Sequence, residues 1–353
     1  MSLLYKEDWS ETKEAFKAWW EGESNIIQIF TSKNGPYTPF PKFRVLELLA
    51  YPEIVSKEFE EWCKNTLFYL YAYPSLYPTF GPGIMATFFG SLPVYQSGTV
   101  WFTPVEGWEN IPQEFDESHP IWIVLKWLTR SLARMGTGKY MVEVSDIGGI
   151  LDIAASLRGV KTLLKDMYAE DPHLNNLLQL LTDTWFKVYD ELVSILLANG
   201  MDGVSRWVIW CPRKWYPIQC DIAYLLSPTL FEKYALPHLK EQCLRIEYPI
   251  YHLDGVGQLA HIDKILNLDN LRGVQWVPGE GEEPHLSDKW SDLYEKILEK
   301  GKLLLLMDVE PDTVIPLLEK YGKKGLLITS SMERSKAEKI ISEMRKKGYV
   351  EST

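Results

Sequence analysis

Cysteine is scarce in this chain. Only Cys63, Cys211, Cys220 and Cys243 occur in 353 residues, and no two have CxxC spacing. That excludes a disulfide framework and a zinc ribbon. Positive charge is also short: 37 Lys and Arg face 48 Asp and Glu, for a formal net charge of −11. A general nucleic-acid binder would normally carry a basic face, so no nucleic-acid partner is expected. No stretch approaches the roughly 20 apolar residues that cross a bilayer. The opening MSLLYKEDWSETKEAFKAWW is charged and amphipathic, without the apolar segment of a signal peptide. The expected location is therefore cytoplasmic, with no membrane partner. A GxGxxG fingerprint is missing, and so are repeats, low-complexity tracts and linkers. The chain reads as one domain over residues 1–353.

What is present is apolar and aromatic. Hydrophobic residues make up 46% of the chain, with 14 Trp and 19 Tyr, enough for a large core and for pocket walls. A helix is predicted from about Trp9 to Glu21, with Ser10 as a candidate cap and Phe16, Trp19 and Trp20 on one face. A buried strand is predicted at Asn25–Ser32, and a second within LFYLYAYPSLYP. The Gly-, Pro- and aromatic-rich stretch Thr79–Pro120 reads as an insertion above the strands. Further strands are predicted at Tyr140–Gly149, Val204–Cys211, Ile250–Gly255, Gly273–Gly279, Leu303–Val309 and Leu326–Ser331. Amphipathic helices alternate with them, as in NNLLQLLTDTWFKVYDELVSILLANG. About eight strands, most followed by a helix, is the pattern of a (β/α)8 TIM barrel. The expected architecture is that barrel, with an N-terminal helical extension and an insertion over its mouth.

Barrel enzymes gather their chemistry at the carboxyl ends of the strands. In YHLDG, His252 and Asp254 are two apart on a strand, so they share a face. They suit joint ligation of a metal, or proton transfer with the carboxylate orienting the imidazole. Asp254 could equally cap the following helix. Asp221 is a candidate pocket acid ahead of a helix opened by Ser227 and Pro228. Its neighbour Cys220 is expected to be inert, because a carboxylate disfavours thiolate. Asp146 closes a strand before Gly148 and Gly149, where a ligand could approach the backbone. Asp152 reads as a first-turn acid facing the helix dipole. The aromatic and basic segment WCPRKWYPIQCD offers Trp210, Arg213, Tyr216 and Gln219 for substrate contact, with Arg213 suited to a carboxylate or phosphate. Gln275, Trp276 and Glu280 come from another strand end, although a Gly-flanked Glu is often simply solvated.

The segments SPTLFEKYALPHLK and HLDG, together with DIGGILDIAASLRG followed by LLKDMYAEDPHL and the opening FKAWWEGE, resemble the uroporphyrinogen decarboxylase superfamily. The resemblance runs from roughly Ala15 to the C-terminus and reaches a largely uncharacterised subgroup. It implies either decarboxylation or methyl transfer to or from corrinoid proteins and coenzyme M. In the methyltransferases it further implies a zinc site made by His-x-Cys-Gly and a late Cys. This chain has His252 and Asp254 in the first motif and Ser330 and Ser331 near the second, a harder and weaker donor set. The decarboxylases carry an arginine-rich segment after the first strand. Here TSKNGPYTPFPKFR holds only Lys33, Lys42 and Arg44 as bases.

Three functional expectations follow. The first is a methyltransferase acting on a small organic substrate, with zinc or a corrinoid carried by a partner protein. The second is a metal-free decarboxylase or other lyase that uses Asp146, Asp221 and His252 as acid–base groups. The third is a carbohydrate-binding or hydrolase-like barrel, suited to the Trp, Tyr and acid content. A homodimer is left open by the sequence.

Overall fold

A computed structural model describes residues 2–41, 44–96 and 99–350. The first helix, Trp9–Trp20, buries Trp9, Phe16, Trp19 and Trp20. Asp8 rather than Ser10 stands at its start, without a side-chain cap. Among the described residues there are thirteen strands. They are β1 (Ile26–Ser32), β2 (Thr66–Leu70), β3 (Ser75–Leu76), β4 (Leu92–Gln96), β5 (Thr99–Thr103), β6 (Met141–Val142) and β7 (Val204–Arg206). The remainder are β8 (Ile209–Cys211), β9 (Trp215–Gln219), β10 (Tyr248–Asp254), β11 (Gly273–Val277), β12 (Leu303–Leu306) and β13 (Leu326–Ser331).

The molecule is a mixed α/β protein whose main sheet is largely parallel. Seven strands run in the order β2-β1-β13-β12-β11-β10-β9, and all neighbours are parallel except the β1–β2 pair. Strands β3 and β6 form a separate parallel pair. The parallel strands are apolar almost throughout, as burial on both faces demands; Leu303–Leu306 is buried at every position. Around the sheet lie amphipathic helices. The longest, Pro172–Ala198, is opened by Asp171, whose side chain accepts the His173 N–H, with Pro172 as its first residue. Its residues Leu174, Leu178, Leu181, Trp185, Val188 and Leu192 recur at helical spacing and are all buried. Ser227 caps the turn at Pro228 as expected. The helix that follows slips into a π turn over Phe231–Ala235 before Pro237. Proline lacks the N–H that would continue the α register and crowds the preceding turn.

Two expectations are corrected here. Val204–Cys211 is not one strand but a β-hairpin, β7 against β8, because the chain reverses at Trp207–Val208. The strand that joins the main sheet is the next one, β9, inside the segment read as an aromatic loop. The Thr79–Pro120 stretch holds the β4–β5 hairpin and short 3-10 turns. No helix among the described residues is long and apolar enough to cross a membrane.

Candidate functional site

Three polar side chains share one level of the sheet. In the parallel register, Gln219 of β9 pairs with His252 of β10, and His252 pairs with Gln275 of β11. Because side chains alternate along a strand, Gln219, His252, Gln275 and Asp254 all face the same side. His252 Nδ1 is hydrogen-bonded to Gln275 Oε1. An amide oxygen only accepts, so Nδ1 is the donor in this bond and Nε2 is left for another partner. Past the end of β9, Asp221 brings its carboxylate to the same place. One donor atom each from Asp221, His252 and Asp254 lies within 4.8 Å of the others.

Asp221 is held from behind. Gln219 Nε2 donates to its Oδ2 at 2.9 Å, while its buried Oδ1 has no hydrogen-bond partner. The partly buried Asp152 accepts the Ile222 N–H at 3.0 Å through Oδ1, and its buried Oδ2 is likewise unpartnered. Burial pushes the Asp221 carboxyl up to about 8, helped by repulsion from Asp152, Asp254 and Asp146. Burial also raises Asp152. The Cys220 thiol is pushed far up, first by burial and then by Asp152 and Asp221, which disfavours the nucleophilic thiolate.

Asp146 anchors a second cluster. Its Oδ2 takes an ion pair from Arg206 at 3.1 Å and a hydrogen bond from the Tyr77 hydroxyl at 3.1 Å. Its Oδ1 accepts the Gly148 N–H at 3.0 Å. Gly148 has φ +70°, and a Cβ there would lie 2.1 Å from the Pro82 carbonyl, so only glycine fits. Tyr216 belongs to this cluster rather than to the His252 face. It is buried, its oxygen accepts the Ile147 N–H at 2.9 Å, and it donates to Asp146 at 3.4 Å.

Other expected contacts lie elsewhere. Trp210 is a core residue on β8, edge-on to Trp9 at 6.0 Å, and its carbonyl accepts the Trp20 indole N–H at 2.9 Å. Arg213 precedes β9, at the opposite end from Gln219, and is exposed in an ion pair with Glu247 at 2.9 Å. Both were assigned to a strand end that turned out to be a hairpin. Trp276 alternates away from Gln275 and packs against Trp290 at 5.1 Å. Glu280 lies beside the site: with Asp254, Pro278, Pro284, His285 and Asp308 it lines a cavity of about 420 Å³. Lys42 is outside the described residues, and Arg44 is paired with Glu58.

Sequence reasoning missed four participants. Asp152 reads from the sequence as a first-turn acid facing the helix dipole, and Glu143, Arg206 and Trp207 carry no local signal. The Trp207 ring stands edge-on to His252, with centroids 5.2 Å apart.

No protein-family profile and no curated protein sequence matches the chain. Among solved structures it is similar to a methyltransferase from Methanosarcina mazei, with a TM-score of 0.60 at 12% identity. The match covers 96% of this chain and 99% of that one. At such identity the likeness is one of fold.

Proposed function

We propose that this chain is a methyltransferase-like enzyme of the uroporphyrinogen decarboxylase superfamily, acting on a small organic substrate at a divalent metal held by Asp221, His252 and Asp254. One observation carries the reading: two carboxylates and an imidazole converge within 4.8 Å at the carboxyl ends of β9 and β10. The donor set fits a cation. The buried Asp221 Oδ1 lacks a partner that a metal would provide, and Gln275 leaves the second nitrogen of His252 free to ligate. Two oxygens and one nitrogen suit zinc or another borderline ion less tightly than thiolates would. A metal bound there would act as a Lewis acid, lowering the pKa of a substrate hydroxyl or thiol. Around it, Gln275 fixes the imidazole tautomer, Gln219 holds the Asp221 carboxylate, and Trp207 packs against the imidazole.

Closure of the strands into a single (β/α)8 barrel is part of the same proposal. In its support, the β7–β8 tip is bonded to Gln28 of β1 and to Glu143 beside β6, while its Trp207 packs on His252 of β10. Elements far apart in strand order thus meet at one place. The fold likeness to the archaeal methyltransferase supports the class of chemistry, and a corrinoid-carrying protein is the proposed methyl partner.

A second reading is favoured by the Asp221 carboxyl alone. Held up to about 8, it stays protonated near neutrality and could serve as general acid in a metal-free lyase. Elemental analysis separates the two. Protein purified without chelator and dialysed against zinc should retain about one equivalent, and H252A and D254A should lose it. Methylcobalamin should then be demethylated by the zinc-loaded wild type in the presence of a small thiol. Absence of metal uptake, together with carbon dioxide release from a carboxylic-acid substrate, would replace the first reading by the second.

A further inference from the structure

The turn joining β7 to β8 is built in a conformation its residues disfavour. Trp207 and Val208 have φ of 53° and 56°. A two-residue hairpin with both positions left-handed calls for Asn-Gly or Gly-Gly. For a β-branched valine this is a genuine outlier. Such strain persists only where the surroundings over-determine the conformation.

Here the surroundings are specific. Glu143, itself only 2% exposed, accepts the Trp207 N–H through Oε2 at 2.9 Å and the Val208 N–H through Oε1 at 2.9 Å. Gln28 Nε2 donates to the Val208 carbonyl at 2.8 Å. One buried carboxylate therefore clamps both amides of the tip. Trp207 is only partly buried, and its ring rests against the imidazole of His252. The imidazole is thus held on one side by Gln275 and on another by an indole whose own place depends on Glu143.

We propose that Glu143 is a positioning residue: by clamping the strained Trp207–Val208 tip, it sets the Trp207 ring and through it the orientation of His252. The proposal rests on His252 being the centre of the site. Two acceptor oxygens are needed, because the tip presents two N–H donors. Glutamine supplies one oxygen and turns an NH2 toward the other donor.

The test compares wild type, E143Q, W207L, V208G and E143Q/V208G as full chains. In chelator, NMR of the His252 ring protons, assigned by H252Q, reports the ring current of Trp207. Separately, competition with a chromophoric chelator reports zinc affinity. W207L and E143Q should remove the ring-current displacement and weaken zinc binding by about tenfold, as loss of an outer-shell partner typically does. Glycine at 208 adopts the left-handed turn without a clamp, so E143Q/V208G should recover both. The proposal is overturned if E143Q leaves the His252 resonances unmoved, or if V208G fails to rescue it. Should E143Q not fold, W207L keeps the clamp intact and decides alone: unshifted His252 resonances there sink the idea. If the wild type takes up no zinc, the metal reading falls, while the chelator NMR still decides the role of Glu143.

Discussion

Asp221→Asn should stabilise the metal-free protein at high pH and do little at low pH. The Asp221 carboxyl, ordinarily near 3.8, is raised to about 8 by burial and then by Asp152, Asp254 and Asp146. Between those two values the folded chain keeps a proton that the unfolded chain has released. The stability linked to this group is therefore complete below about pH 4, falls as the pH rises, and is gone above about pH 8. Four units at about 1.4 kcal/mol each set a ceiling of about 6 kcal/mol. Solvent on the exposed side of Asp254 softens the repulsion, so roughly 3 kcal/mol is expected to remain. Asparagine never ionises, and its carbonyl can still accept the Gln219 amide, which bonds Asp221 at 2.9 Å. Urea unfolding in chelator at pH 5 and pH 9 measures the effect. From pH 5 to pH 9, which spans about three of those four units, the difference should move by roughly 2 kcal/mol in favour of D221N. Zinc should reverse the order, since a neutral amide is a poor ligand. Parallel stability curves for the two proteins would refute the reasoning.

Two further outcomes follow from named contacts. Burial lowers His285 from its ordinary 6.5 to about 4, against the pull of the Met307 carbonyl and Asp308. The stability from keeping it neutral is present above pH 6.5 and lost as the pH falls toward 4, a change of roughly 2 kcal/mol after allowance for solvent. Acid titration of unfolding should show this slope in the wild type and not in H285Q. Gly148→Ala would place a Cβ 2.1 Å from the Pro82 carbonyl at φ +70°. It should displace the Asp146 loop and cost at least about 2 kcal/mol by thermal unfolding, whereas the exposed change Lys161→Ala should stay within about 0.5 kcal/mol.

Most of the scaffold was legible because local pattern decides it. The apolar run Leu303–Leu306, bounded by turn residues, reads as a buried strand, and the Leu and Trp stripe of Pro172–Ala198 reads as a packed helix. The two-residue spacing of His252 and Asp254 on a strand also fixed that they face one way. What the sequence could not decide was which segments lie side by side. Val204–Cys211 has the composition of a strand, and only the clamp at Glu143 and the pairing of β7 with β8 make it a hairpin. Trp210 and Arg213 left the candidate site with that one change, and Trp207 entered it. Asp152 looks like any first-turn acid until the fold sets it under the backbone of Ile222. Propensity and periodicity act over a few residues. The convergence of Asp152, Asp221 and His252 is set by strand register and packing between elements up to 100 positions apart, which no local pattern records.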